Sequence, residues 1–207
     1  MFKNDKIAIN ILFFPTKDIM QLAVKINQQK GSENYQNLNI ETNPPHITLA
    51  MGVIDVKNLP LAKEKIRRIA KNFSKLELTL SGICHGIRSN GKKSYYFKVE
   101  IIPELQKLHE EIMNGFSKIL IHGNVSAGMF LTDAGEKIDE KSCPWVEDYP
   151  NKVFKNFDPH ISLKCWNAKY EGGPLKFTVD KLILCRMGNF CTCRKILFSA
   201  SLNNSAK

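Results

Sequence analysis

The sequence predicts a fold of mixed strands and helices built as two related halves, and three observations carry that reading. Each half runs strand, helix, strand. The closing strand of each half opens on a near-identical pentapeptide, Pro45-His46-Ile47-Thr48-Leu49 and Pro159-His160-Ile161-Ser162-Leu163. Apolar residues recur with a period of about two in some stretches and about 3.6 in others, the spacings of half-buried strands and amphipathic helices. An internal repeat of this kind implies two copies of one supersecondary unit. The two histidines lie 114 residues apart, whereas the first strands of the halves begin near residues 6 and 94. The surplus falls in the irregular stretch before the second pentapeptide. The chain therefore reads as one domain over residues 1–207, with lobes at about 1–90 and 91–207 and an insertion near 123–157.

Ile7 to Phe14 is a short apolar run rich in β-formers and reads as a strand. It contains Asn10, ends at Pro15 and lacks a small-residue cleavage site, so it is not read as a signal peptide. Thr16 is placed to cap a helix with Ile19, Leu22, Ala23 and Ile26 on one face, ended by Gly31. A polar loop from Ser32 to Asn43 leads to the strand opened by Pro44-Pro45. Leu61 to Phe73 forms a second helix, apolar at Ala62, Ile66, Ile69, Ala70 and Phe73 and basic at Lys63, Lys65, Arg67, Arg68 and Lys71. Leu76 to Ile83 alternates as a strand.

The second half opens with the turn-like Ser89-Asn90-Gly91 and a strand from Ser94 to Ile101. Pro103 suits the first turn of a third helix, whose stripe is Leu105, Leu108, Ile112, Phe116 and Ile119. Residues 123–157 show no clean period and contain Pro144 and Pro150. Their aromatic residues Phe130, Trp145, Tyr149 and Phe154 suit a lid, a base-stacking wall or a surface excursion packed on its own cluster. After the second pentapeptide, Leu175 to Cys185 and Cys193 to Leu202 read as an antiparallel pair.

Composition narrows the function classes. Of 207 residues, 43% are hydrophobic and 24% charged, which excludes disordered and collagen-like chains. No apolar run approaches the roughly 18 residues of a membrane span, so no membrane partner is expected. The net charge of +10 biases the protein towards polyanions such as nucleic acid, nucleotides or anionic membrane, or reflects a solvated lysine-rich surface. The six cysteines form no C-x-x-C pair and read as reduced, which places the protein in the cytoplasm. Nothing in the sequence points to a protein partner.

The pentapeptides carry the chemistry. In a strand, residues i and i+2 share a face, so His46 projects with Thr48, and His160 with Ser162. Related by a pseudo-twofold axis, two imidazoles and two hydroxyls converge on a space that suits a tetrahedral phosphate. Hydroxyls donate to its nonbridging oxygens, and imidazoles near neutral pKa serve as acid and base. No carboxylate or cysteine pattern accompanies the histidines, so neither metal nor cofactor is expected. Lys164, Trp166, Tyr96, Lys98 and Arg186 are candidate substrate contacts, the first two by continuing the parity of Ser162. His85, His109 and His122 need no functional role.

The two His-x-[Thr/Ser]-x motifs and the lead-in Phe157-Asp158-Pro159 resemble the two-histidine (2H) phosphoesterase superfamily, which includes RNA 2′,3′-cyclic phosphodiesterases, also called 2′-5′ RNA ligase-like proteins. The resemblance implies an α+β, bilobal, pseudo-twofold fold with antiparallel sheets lining a central cleft and helices outside. It also implies metal-independent chemistry on nucleotide phosphodiesters, with RNA or an oligonucleotide as partner. Opening of a 2′,3′-cyclic phosphate is the first expectation. A 2′,5′-oligoadenylate phosphodiesterase and a noncatalytic RNA or nucleotide binder are the alternatives. In the first, His160 is the base for water, His46 protonates the departing 3′ oxygen, and Thr48 and Ser162 hold the phosphate. The pseudo-symmetry leaves the two histidine roles open to exchange.

Overall fold

The computed structural model describes residues 5–30, 33–88, 91–121, 123–139, 141–153 and 156–203, and of residues 150–153 it describes the backbone. The elements are β1 (Lys6–Phe13), α1 (Lys17–Asn27), β2 (Ile47–Asp55), α2 (Leu59–Lys71), β3 (Leu76–Ile87), β4 (Lys93–Val99), α3 (Pro103–Phe116), α4 (Ser142–Val153), β5 (His160–Ser162), β6 (Leu175–Val179), β7 (Lys181–Met187) and β8 (Cys193–Ser201). The strands form one antiparallel sheet in the order β6-β3-β4-β5-β2-β1-β7-β8. The motif strands β2 and β5 meet at its centre, joined at Ile47 and Ile161. Outward from that pair the order mirrors itself: β1 matches β4, β7 matches β3 and β8 matches β6. Strand β3 thus flanks β4, while β7 flanks β1 and carries β8 on its outer side.

The sheet is curled, and the chain itself requires it. Strands β6 and β7 stand near opposite ends of the order yet are separated by Asp180 alone. Consecutive Cα atoms lie only about 3.8 Å apart, so the two ends of the sheet must approach. Hydrogen bonds seal the approach: Leu202 N donates to Asp180 O at 2.8 Å, and Asn203 N donates to Phe73 O at 2.7 Å.

One large core fills the helical side. Ile7, Ile9, Ile11, Leu49, Ile66, Ile69, Phe97, Leu105, Leu108, Ile112 and Phe116 belong to it. Helix α2 lies against β7, β8 and α3, and α3 against β2. No helix among the described residues is long and apolar enough to cross a membrane.

Several expectations change. Helix α1 stops at Asn27, with Thr16 at its N-cap position but no side-chain cap bond. Asn27 is fully buried and its side chain is committed to loop backbone, accepting from Leu38 N at 3.0 Å and donating to Gln36 O at 3.0 Å. Gly31, Ser89, Asn90, His122 and Phe154 lie outside the described residues. The run from Leu175 to Cys185 is two strands, because Asp180 turns the chain from one end of the sheet to the other. The aperiodic stretch contains α4, whose Pro144 occupies the first turn, where no backbone donor is needed. Pro150 lies within the same helix, which is why the segment reads as broken. The stretch at 123–157 joins the main core through Phe130, Val146 and Tyr149, while Trp145 stays exposed. It is not a separate cluster. The backbone reaches β2 closely ahead of it: Ile121 bridges Val53, and a Cβ on Gly52 would stand 2.7 Å from Leu120 Cδ2.

Candidate active site

The β2–β5 register assembles the motif side chains. Ile47 pairs with Ile161 in antiparallel sense, so the next residues pair crosswise. His46 stands level with Ser162, and Thr48 with His160. Directly opposed residues of an antiparallel pair have Cβ atoms about 4.5–5.5 Å apart, and diagonal ones are about 7–8 Å apart. The four polar side chains therefore form a quadrilateral with the imidazoles on one diagonal and the hydroxyls on the other. Each imidazole neighbours the other motif's hydroxyl. Ile47 and Ile161, fully buried, hold the opposite face.

Both rings are oriented alike. His46 Nδ1 lies 2.9 Å from Pro44 O, and His160 Nδ1 lies 2.8 Å from Asp158 O. A carbonyl only accepts, so Nδ1 carries the hydrogen in each ring and Nε2 is the working atom. Burial pulls His46 down to about 4; the Pro44 carbonyl opposes this, and the charges of Lys164 and His160 add to it. Burial also lowers His160, opposed by the carbonyl and charge of Asp158 and reinforced by Lys164. Tyr96, paired with Ser162, places its ring 4.9 Å from that of His160.

Side chains from the opposite half hold each motif. Strand β2 carries a bulge at Leu49, since Ile11 pairs with Ala50 and Leu12 with Thr48. His109, buried on α3, donates from Nδ1 to Leu49 O at 2.7 Å and stacks on Phe157 at 4.0 Å, five degrees from parallel. Asn27 at the end of α1 donates to Leu163 O at 2.9 Å. The fourth residue of each motif is thus held by the helix of the other half. His109, read from sequence as needing no role, is one of these two braces.

Asn10 was also missed as a site residue. It is fully buried on β1, and its Nδ2 donates to Thr48 Oγ1 at 3.0 Å and faces His46 Nε2 at 3.5 Å. The available signal was a lone amide within an apolar strand. Its Oδ1 has no hydrogen-bond partner among the described residues. An apolar group of similar shape removes the unpartnered Oδ1 together with the bond to Thr48, whose half-buried hydroxyl can turn to water, so the cost to stability is small. Asn10→Leu is therefore expected to keep a near-wild-type melting temperature while lowering kcat about ten-fold, by freeing Thr48 and His46 to reorient. A variant that melts early with unchanged kcat would contradict this role.

Lys164 departs from its expected place. Strand β5 ends at Ser162, and Lys164 takes a left-handed conformation with φ 53°, so strand parity does not extend to it. It is buried, and its Nζ donates to Phe190 O at 2.6 Å. That acceptor lies in a corner where Phe190 and Cys191 both have left-handed φ, 52° and 58°. Such residues cost of order 1–3 kcal/mol each and need support from their surroundings. The stretch at 137–142 supplies it. Asn189 donates to Lys137 O at 2.9 Å and accepts from Asp139 N at 2.7 Å, and Phe190 N donates to Ser142 Oγ at 3.3 Å.

Trp166 also leaves strand parity and lies against Tyr35, ring centres 4.4 Å apart and planes tilted by 39°. Arg186 pairs with Ile9 in the β1–β7 register, on the strand face alternate to Asn10. Lys98, level with His160, is exposed. His85 lies near the end of β3, opposite Tyr95 and beside the β3–β4 hairpin. Cys185 and Cys193 form a disulfide between β7 and β8, which corrects the reading of six reduced thiols. The two cysteines are neighbours only once the strands pair. Among the described residues no group of three or more His, Cys, Asp or Glu side chains is arranged to hold a metal.

The family model described as the 2′-5′ RNA ligase superfamily matches residues 20–189, a span that holds both motifs. No curated protein matches the chain in sequence. Crystal structures with the same fold include TT0787 of Thermus thermophilus, with a TM-score of 0.61 and 15% identity over 97% of this chain and 100% of that one. E. coli LigT complexed with NADP+ gives a TM-score of 0.60 at 13% identity, covering 97% of this chain and 99% of that one. The same protein complexed with 3′-AMP gives 0.57 at 14% identity, covering 96% and 99%. At these identities the likeness is one of fold.

Proposed function

The chain belongs to the 2′-5′ RNA ligase superfamily and is a phosphodiesterase, and on that premise we propose that it opens 2′,3′-cyclic phosphate at RNA ends by acid–base catalysis between His46 and His160. The observation that supports this reading is the crossed register, in which each imidazole, with its Nδ1 bonded to a carbonyl two residues back, stands level with the other motif's hydroxyl. The LigT crystals holding phosphate and 3′-AMP show that a protein of this fold takes such groups.

Water attacks phosphorus in line with the P–O3′ bond. His160 Nε2 takes the water proton as the new P–O bond forms, and His46 Nε2–H gives its proton to O3′ as the old bond breaks. The products are a 2′-phosphate and a free 3′ hydroxyl. Thr48 accepts from Asn10, so its own hydrogen is available to a nonbridging oxygen, as is that of Ser162. Donors fixed in place stabilise the charge that grows in the transition state.

The test is a product-resolved assay on RNA ending in 2′,3′-cyclic phosphate, beside 2′-5′-linked oligoadenylate and 3′-5′-linked RNA, across pH. A 2′-phosphate product is expected. Both imidazoles are lowered from 6.5, so above their pair of pKa values the singly protonated form that catalysis requires becomes scarce. The maximum of kcat/KM is therefore expected below pH 6.5, with a fall of about ten-fold per pH unit on the alkaline side. Turnover confined to the 2′-5′ linkage, or a maximum above pH 7, would overturn the proposal.

A further inference from the structure

A cluster of aromatic rings and cations lies beyond Lys164, and the chemistry above does not use it. Three separate stretches of chain build it: the loop at Tyr35, the β3–β4 hairpin at Arg88 and Lys92, and the segment after β5 at Trp166. The Arg88 guanidinium lies 4.4 Å from the centre of the Tyr35 ring and 5.3 Å from that of Trp166. Its Nη2 donates to the Tyr35 hydroxyl at 2.9 Å. Lys92 Nζ lies 5.5 Å from the centre of the Trp166 ring. Tyr35, Arg88 and Trp166 are half-buried and Lys92 is exposed, so the stack is fixed at its base and open at its rim.

The cluster is tied to the catalytic strands. Tyr35 N donates to Lys164 O at 3.0 Å, and the Tyr35 hydroxyl meets Ser94 Oγ at 3.2 Å. Ser94 lies two residues from Tyr96 on β4 and shares its face. Two residues of strand advance about 6.8 Å, comparable with one nucleotide step of an extended chain. Tyr96 in turn stands beside His160. Lys92 Nζ also reaches Glu33 Oε2 at 3.9 Å on the exposed rim. Arg88 and Lys92 beside half-open aromatic faces are what a single strand requires: rings for its bases and positive charge for its backbone.

We propose that Tyr35, Arg88, Lys92 and Trp166 form a second nucleotide subsite, which takes the base and phosphate preceding the reacting nucleotide and makes the substrate an RNA strand rather than a mononucleotide. This rests on the hydrolase reading above. The base stacks on Trp166 with displacement of the flexible Lys92 side chain, and the phosphate pairs with Arg88.

The test compares kcat/KM for a trinucleotide ending in 2′,3′-cyclic phosphate with kcat/KM for the corresponding mononucleoside 2′,3′-cyclic phosphate. Wild type, Trp166→Ala, Trp166→Phe and Arg88→Gln are measured. The ratio of the two substrates cancels any loss of folded enzyme. The wild-type ratio is expected to favour the trinucleotide by about ten-fold or more, and to fall by about that factor in Trp166→Ala and Arg88→Gln. Trp166→Phe should restore most of it, and Arg88→Gln should flatten the salt dependence of the trinucleotide's KM. Turnover of both substrates with a ratio that no variant moves overturns the subsite and leaves the hydrolase reading standing. Turnover of neither by wild type overturns the hydrolase reading. The subsite is then judged by the affinity of the same proteins for a trinucleotide lacking the cyclic end, and equal affinities overturn it.

Discussion

His46→Ala and His160→Ala are each expected to lower kcat by ~10²–10⁴, the range for removal of a positioned acid or base. The fold should survive, because Ile47 and Ile161 on the opposite face carry the packing at both positions. Each truncation also removes the Nδ1–H bond to Pro44 O or Asp158 O, worth about 0.5–1.5 kcal/mol of stability. His46→Asn and His160→Asn separate the two losses. An asparagine amide can still donate to the carbonyl two residues back but cannot shuttle a proton. These variants should recover stability and remain as slow as the alanine forms. The double alanine variant should be little slower than either single one, since an acid and a base that work in one step are lost together. Near-wild-type turnover by a folded His46→Ala or His160→Ala protein would end the two-histidine mechanism.

Thr48→Ala and Ser162→Ala are expected to cost a further kind of activity, of order 10–10³ in kcat, with both imidazoles intact. The crossed register gives the reason for the expectation: Thr48 stands level with His160, and Ser162 with His46, so in the proposed mechanism each hydroxyl steadies phosphate beside the other motif's proton carrier. Charge on the nonbridging oxygens increases on the way to the transition state, so the loss should fall on kcat more than on KM. Thr48→Ser keeps the hydroxyl that Asn10 orients and should recover most of the activity. Neutralising Lys65, Arg68 and Lys71 on α2, outside the site, should instead weaken RNA association in a salt-dependent way. Steady-state kinetics on one short oligonucleotide at two salt concentrations distinguishes these outcomes. Loss of kcat in the α2 variant, with wild-type behaviour in Thr48→Ala, would move the active centre to the helix.

Local periodicity determined a large part of this protein. Ile47 and Leu49 had to be buried once His46 and Thr48 shared a polar face, and the same holds for the second motif. The α1, α2 and α3 stripes, the repeat and the paired site were legible for that reason: each depends on residues a few positions apart. Tertiary structure alone decided the rest. The register at Ile47 and Ile161 sets each imidazole against the other motif's hydroxyl, and no local pattern encodes a pairing across 114 residues. Asn10, His109 and Asn27 act through partners at sequence separations of 38, 60 and 136. Lys164 and Trp166 left the predicted face because the chain turns left-handed after Ser162, and Cys185 met Cys193 because β7 pairs with β8. Helix α4 was hidden by Pro144 and Pro150, whose cost is offset by burial of Val146 and Tyr149 in the common core. In each case the deciding energy belongs to a contact between distant segments, which exists only after the sheet has curled.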